Sequence, residues 1–260
     1  MANNNEEKKD NVEQASNIIE NEVTLPIREI LATEFLKNQK EAFERDSHLM
    51  PLANHEEHNQ DVDYWTLLLE MPLRSPDKFA NTRALDFGCG CGRNLLNLAL
   101  LAPFAGVDGV DISPSNVAYA QKWIRQRIPD HNQSRVWETD GNNLGPGVED
   151  GTYSFIMSHV VFQHIGNYHV RRSILKDMYR ALEPGGMISI HFLDLIEKSV
   201  GYYQNSYVGN VNCRVGNPMF IYRDLEDIGF KFISIKTRFD KDTGFPCYFV
   251  KAYKEKSHIL

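Results

Sequence analysis

The chain has 260 residues, of which 42% are hydrophobic and 24% charged, with a net charge of -7. This length suits one globular α/β domain with additions. No apolar stretch approaches the roughly 20 residues that a membrane helix needs, and the acidic balance disfavours nucleic-acid binding, which requires a clustered basic surface. The polar N-terminus MANNNEEKKDNVEQ lacks the basic start and apolar middle of a secretory signal. We therefore expect a cytoplasmic protein that binds neither membrane nor nucleic acid.

The first 80 residues predict a helical extension ahead of the main domain. About the first 10 residues are polar enough to predict disorder. Apolar residues at helical spacing over 15–43 predict two short helices, the second opened by Pro26. Residues 61–73 predict another helix, which stops near Pro72.

From residue 81 onward, strand and helix patterns alternate. The predicted strands cover 82–87, 105–112, 135–139, 153–160, 187–192, 230–239 and 247–254, and the predicted helices cover 92–102, 114–128, 168–182 and 220–230. Ser113 is expected to be the N-cap of the second of these helices. Residues 183–186, Glu-Pro-Gly-Gly, are expected to form a turn between the third helix and the fifth strand. Alternation of this kind predicts a parallel sheet covered by helices on both faces. The link between the last two strands is too short for a parallel crossover, so they are expected to pair antiparallel.

The stretch ALDFGCGCGR (84–93) joins the first strand to its helix. Such a turn brings backbone close to a ligand, and the following helix N-terminus favours negative charge. The spacing Gly88-x-Gly90-x-Gly92 departs from the dinucleotide fingerprint, because the third glycine comes one residue early. About 20 residues later, Asp111 ends the second strand, where a carboxylate can bind both ribose hydroxyls. Together with Asp86 before the turn, this pattern indicates a nucleoside-containing cofactor.

The cysteines in this turn have a simpler interpretation. Cys89, Cys91, Cys213 and Cys247 are too few and too unevenly placed for a disulfide framework. Zinc would require a C-x2-C or His/Cys partner pair that the sequence does not place nearby. We expect small residues packed in a tight turn and no metal site.

Four motifs together resemble those of the class I S-adenosylmethionine-dependent methyltransferase family, of the small seven-stranded type. They are LDFGCGCGR (85–93), GVDIS (109–113), WETDGNNL (137–144) and RALEPGGMISI (180–190). The resemblance implies a Rossmann-like, mostly parallel seven-stranded sheet with an antiparallel last strand. It also implies a methyltransferase core over 81–260 after the 1–80 extension, with S-adenosyl-L-methionine as cofactor and S-adenosyl-L-homocysteine as product.

The resemblance also assigns roles to single residues. Asp86 would reach the methionine ammonium group, the glycines would pass close to its amino-acid part, and Asp111 would bind the ribose diol. Asp140 would accept from the adenine amino group. The full cofactor set implied is Asp86, Gly88, Cys89, Gly90, Asp111, Ile112, Asp140, Gly141, Asn142, Ser158 and His159. The competing structural interpretation is that Asp86 and Asp140 only cap turns or helices and the glycines only turn the chain.

Methyl transfer requires alignment of nucleophile, methyl and sulfur, and a base only when the acceptor must lose a proton. Candidate bases are His159 and His191, with His164 a third, because the predicted fourth and fifth strands open on the same crevice. A lone histidine is more often a packed, hydrogen-bonded residue than a catalytic one. The Pro-Pro signature of amino-directed nucleic-acid methyltransferases and the acidic ligands of the magnesium-dependent catechol type are both missing.

Two additions to the core are expected to select a small-molecule acceptor. One is the N-terminal extension with Tyr64 and Trp65, and the other is the inserted segment 194–218, with Tyr202, Tyr203, Tyr207 and Arg214. Long segments of this kind in compact domains are often lids or binding loops, although simple aromatic packing is an alternative. A protein or peptide methyltransferase, a nicotinamide dehydrogenase and a cofactor-binding protein without activity remain the competing functions. The sequence leaves the oligomeric state open.

Overall fold

The computed structural model describes residues 25–47, 67–129, 133–193, 217–239 and 246–256. The helices are α1 (Leu25–Arg45), α2 (Glu70–Arg74), α3 (Pro76–Phe79), α4 (Arg93–Leu101), α5 (Pro114–Arg127), α6 (Tyr168–Ala181) and α7 (Pro218–Ile228). The strands are β1 (Arg83–Phe87), β2 (Gly106–Asp111), β3 (Val136–Glu138), β4 (Tyr153–Ser158), β5 (Leu182–Leu193), β6 (Lys231–Phe239) and β7 (Pro246–Tyr253). A 3-10 turn covers Phe162–His164.

The strands form one seven-stranded sheet in the order β3-β2-β1-β4-β5-β7-β6. Neighbouring strands from β3 to β5 are parallel, whereas β7 runs antiparallel to both β5 and β6. The predicted mixed sheet and its antiparallel final pair are therefore confirmed. The parallel strands bring their carboxyl ends to one edge of the sheet, which is where such folds bind ligands.

Two apolar layers cover the faces of the sheet. On one face, α4 and α5 bury Leu95 and Ala120 against the strands. On the other face, α6 buries Val170, Ile174 and Met178, which form an apolar stripe along the helix.

Helix α1 lies over the carboxyl edge of the sheet and contacts both α5 and α6. It has 21 residues, and Pro26 occupies its second position, where a missing backbone N–H leaves no bond unmade. Phe35 is 1% exposed and belongs to the same core cluster as β1, β4 and β5. The helix is thus part of the wall around the ligand-binding edge. No helix among the described residues is both long and apolar enough to cross a membrane.

Two predicted boundaries were wrong. Pro72 does not stop a helix, because it lies in the first turn of the short helix α2, where proline is tolerated. Strand β5 begins at Leu182 instead of residue 187 and passes through 183–186 with a shift in its register against β4. Gly185 and Gly186 stay in the sheet because they exchange backbone hydrogen bonds with Lys254 at the end of β7.

Candidate active site

A cavity of about 290 Å³ lies at the carboxyl ends of β1, β2 and β4. Its floor is formed by the glycine turn 88–91, by Asp111 and Ile112, and by the β4 exit 159–161. Helix α1 closes the opposite side, and the cavity lies at the position where open α/β sheets bind their ligands.

The glycine turn is attached to the end of β2. The N–H groups of Gly88 and Cys89 both donate to the Val110 carbonyl, at 2.8 and 2.9 Å. Gly88 has φ +74°, and a Cβ on it would lie 2.7 Å from Val161 Cγ1, so only glycine fits there. Gly90 has φ +52°, and a Cβ on it would meet nothing within 4 Å. Its bare backbone therefore faces the open cavity, where a ligand can approach closely.

Asp111 links three parts of the site. Its Oδ2 accepts a hydrogen bond from the Gly90 N–H at 2.9 Å. Its Oδ1 accepts from the Ser113 N–H at 3.0 Å and from Asn116 Nδ2 at 3.2 Å. Burial raises the pKa of Asp111, and these hydrogen bonds oppose the rise. The carboxylate borders the cavity and keeps lone pairs that can accept from a ligand hydroxyl.

The Ser113 N-cap is confirmed, because its side chain accepts from the Asn116 N–H. Ser113 Oγ in turn donates to Glu44 of α1 at 2.6 Å, and the Ser115 N–H donates to the same carboxylate at 3.2 Å. Lys40 of α1 also pairs with Glu138 at the end of β3. These contacts hold α1 against the edge that carries Asp111.

Asp86 is a fully buried carboxylate at the end of β1. Within the described part of the chain, neither of its oxygens is in hydrogen-bond geometry with a donor. Burial first, and the charge of Asp111 second, raise the pKa of Asp86 well above its ordinary value, while Arg93 and Asn94 partly oppose this. Asp86 does not line the cavity, whereas Arg93 and Asn94 do.

The three histidines have different surroundings. His159 lines the cavity, and its ring lies 5.3 Å from that of His191, which is 3% exposed and packs against Phe249. Burial, and then the neighbouring His191 and Arg93, lower the pKa of His159 well below its ordinary value. These effects favour the neutral imidazole and make the His159 ring a weaker proton acceptor than an exposed histidine.

His164 also lines the cavity but is engaged by its own turn. Its Nε2 lies 3.2 Å from the Gln163 amide nitrogen, its ring meets Phe43 edge-on, and its imidazole is bonded to the Val160 carbonyl. Burial lowers its pKa to about 4. These contacts give His164 a structural role in the β4 exit.

Of the predicted cofactor set, seven residues line the cavity: Gly88, Cys89, Gly90, Asp111, Ile112, Gly141 and His159. Asp140 is exposed and accepts from Asn142 N–H and from Asn143 Nδ2, so it caps its own turn and borders only shallow outer pockets. Ser158 is buried and donates to the Phe87 carbonyl at 2.9 Å. Tyr64, Trp65, Tyr202, Tyr203, Tyr207 and Arg214 lie outside the described residues.

Sequence reasoning missed the contribution of α1. Phe35, Leu36, Gln39 and Phe43 all line the cavity, yet they belong to no motif and only their helical spacing could have pointed to a common face. Arg93 and Thr139, which also line the cavity, stand inside the quoted motifs without an assigned role.

The two cysteines of the glycine turn are packed in the protein interior, as the packing interpretation predicts. Cys91 donates from Sγ to Asn116 Oδ1 at 3.5 Å, and burial raises its pKa to about 12. Burial raises the pKa of Cys89 well above its ordinary value as well. A thiol that does not ionise is a poor nucleophile and a poor metal ligand. The described residues contain no cluster of His, Cys, Asp or Glu that could hold a metal ion.

A protein-family model described as "Methyltransferase domain" matches residues 84–186, which include the glycine turn and strands β2 to β4. Residues 84–186 of the chain thus match a methyltransferase domain. Among solved structures, magnesium protoporphyrin IX methyltransferase of Synechocystis PCC 6803 shares the fold, with a TM-score of 0.56, 20% identity, and coverage of 76% of this chain and 84% of that one.

Two curated relatives match only part of this chain, and the match covers only part of each relative. Trans-aconitate 2-methyltransferase of Methylobacterium nodulans is 28% identical over 132 residues, 51% of this chain and 44% of the relative. Carboxy-S-adenosyl-L-methionine synthase of Chromohalobacter salexigens is 32% identical over 109 residues, 40% of this chain and 37% of the relative. The matched region thus spans less than half the length of either relative.

The cavity fits the family's cofactor, S-adenosylmethionine. The open backbone at Gly90 and the carboxylate of Asp111 are the groups that a ribose and an amino-acid chain require. The buried Asp86 carboxylate, whose oxygens accept no hydrogen bond in close geometry among the described residues although the Asn94 amide lies nearby, is suited to a nearby positive charge.

Proposed function

We propose that this protein transfers the methyl group of S-adenosylmethionine to an O, N or C atom of a small-molecule acceptor, without a metal ion. The observation that carries the proposal is Asp111, which is hydrogen-bonded to the glycine turn at the wall of the cavity. When bound, the cofactor supplies a methyl group activated by an adjacent sulfonium.

The chain's own groups suggest how the cofactor lies. Asp111 takes the ribose hydroxyls, and Gly90 lets the methionine part pass close to the backbone. Arg93 is placed to attract the methionine carboxylate, and Asp86 stabilises the ammonium through water. Ile112 and Gly141 flank the adenine, and Asp140 can meet its amino group only if adenine reaches past Thr139 toward the outer pocket.

For an acceptor that must lose a proton, His159 is the proposed base and His191 the residue that supports its ring. His159 is neutral and lines the cavity, and His191 lies behind it. A base contributes about 10²–10⁴-fold when it is needed. For an acceptor that loses its proton after transfer, alignment within the cavity is sufficient.

The acceptor itself is assigned to the regions outside the cofactor motifs, 194–218 and the segment with Tyr64 and Trp65. The named activity of the trans-aconitate relative supports a small acid as acceptor, whereas another relative is named as a tRNA methyltransferase. The net charge of -7 favours the small molecule over RNA. Action on a protein or peptide and cofactor binding without catalysis are the alternatives.

Transfer of label from methyl-labelled S-adenosylmethionine tests the proposal. The protein is incubated separately with a metabolite extract, a peptide pool and bulk tRNA, with and without EDTA. We expect label in the metabolite fraction, unchanged by EDTA, and no label with the matched variant Asp111→Ala. Label confined to peptide or tRNA contradicts the small-molecule assignment, and cofactor binding without any transfer supports the non-catalytic alternative.

A further inference from the structure

The exit of β4 has an unusual backbone. Val160 has φ +61°, in the left-handed region that costs a β-branched residue the most. Only Asn81 and Phe232 share a positive φ among the other non-glycine residues that the structure describes. Of these three, Val160 is the one that lines the cavity.

This backbone changes where three consecutive side chains lie. In an extended strand, successive side chains point to opposite faces. Here His159, Val160 and Val161 all line the cavity, because the left-handed residue turns the chain as β4 ends at Ser158. Without the turn, His159 and Val160 would lie on opposite sides of the sheet.

The neighbouring contacts hold this conformation in place. Val161 packs where a Cβ on Gly88 would otherwise lie. Phe162 is fully buried, with its ring 5.0 Å from Phe192. The His164 backbone N–H donates to the Val161 carbonyl at 2.8 Å, and the His164 imidazole donates a hydrogen bond to the Val160 carbonyl. Strained residues persist only when their surroundings fix them in this way, and they concentrate at functional sites.

We propose that Val160 is a positioning residue, whose left-handed backbone holds the His159 imidazole at the cavity wall against His191. A role of Val160 in catalysis rests on the proposed function, in which His159 is the candidate base that Val160 orients. The packing of Val161 and Phe162 and the two hydrogen bonds of His164 maintain a conformation that Val160 itself disfavours.

Two substitutions of Val160 distinguish the backbone strain at this residue from its effect on the position of the His159 ring. Val160→Asn keeps a side chain that tolerates the left-handed region, and Val160→Gly removes both the strain and the constraint. The matched control is Phe232→Gly, since Phe232 has φ +51°, is 82% exposed and lies on β6, three strands from β4.

The readouts are melting temperature and the NMR signal of the His159 ring, identified by its absence in His159→Gln. We expect the melting temperature of the Asn and Gly variants of Val160 to rise by a few degrees. We also expect Val160→Gly to broaden the His159 signal and move its titration toward that of an exposed histidine, away from the influence of His191 and Arg93. Val160→Asn should restore the wild-type signal, and Phe232→Gly should leave it unchanged.

If the melting temperature falls in both Val160 variants, the inference that Val160 is strained is wrong. If the His159 signal in Val160→Gly is the same as in the wild type, Val160 does not position the ring. Calorimetry with S-adenosylhomocysteine is run on the same wild-type sample. If the wild type fails to bind, the proposed function fails, while the NMR comparison still decides the role of Val160.

Discussion

Because Asp86 is buried and charged, we expect its replacement by Asn to stabilise the protein without ligand but to weaken ligand binding. Asp86 is fully buried, and neither of its oxygens is in hydrogen-bond geometry with a donor among the described residues. An unpaired buried polar group costs about 1–3 kcal/mol, and a charged one costs more. Asp86→Asn keeps the shape and removes the charge, so we expect the free energy of unfolding without ligand to rise by about 1 kcal/mol or more at pH 7.

The effect should depend on pH. The pKa of Asp86 is higher in the folded than in the unfolded protein, so the folded state binds more protons between these two values. Wild-type stability therefore falls as pH rises from the ordinary aspartate pKa through the folded one. The advantage of Asp86→Asn should vanish near and below about pH 4, and be complete above the folded pKa.

Ligand binding should change in the opposite direction. Loss of the proposed water-mediated contact to the cofactor's ammonium group, worth about 1.5–3 kcal/mol for a charge-assisted hydrogen bond, should weaken binding about 10- to 150-fold. Urea unfolding between pH 4 and pH 8 and calorimetry with S-adenosylhomocysteine measure the two effects, with the exposed Asp77→Asn as control. A variant that is less stable than wild type at pH 7, yet binds the ligand equally well, refutes the reasoning.

Two further predictions concern α1. Phe35→Ala should lower the free energy of unfolding by about 3–5 kcal/mol, because Phe35 is only 1% exposed. It should also weaken S-adenosylhomocysteine binding, because Phe35 forms part of the cavity wall. The control Glu34→Ala, at an exposed position, should change neither quantity. Glu44→Gln should speed release of the ligand in stopped-flow fluorescence, because it weakens the contacts to Ser113 and Ser115 that hold α1 at the cavity. The same rate in Glu44→Gln and in Glu41→Gln, on the exposed face of α1, would show that α1 does not limit release.

The sheet could be predicted because each part has a local signal. Alternating apolar runs, the Ser113 cap and the short final link all act through nearby residues, and all three were confirmed. The boundary errors at Pro72 and at 183–186 arose where proline and glycine normally end an element. There, the start of a new helix and the β7 neighbour determined the outcome.

The site was harder to predict because its far wall is remote in sequence. Asp111 and the glycine turn could be placed from motifs, whereas α1 reaches the cavity only through tertiary packing. Asp140 matches a motif, yet its local hydrogen bonds keep it in its own turn. Sequence patterns also give no indication of the left-handed backbone at Val160.

Calorimetric titration with S-adenosylhomocysteine, on the wild type beside Asp111→Ala, tests the central claim most directly. The account predicts that the wild type binds one equivalent and gains thermal stability, since a ligand of the folded state stabilises it by mass action. It also predicts at least about tenfold weaker binding by Asp111→Ala, which loses hydrogen bonds to the ribose. A wild-type protein that gives no heat and no shift in melting temperature at saturating ligand, or a variant that binds as tightly as wild type, would contradict the account.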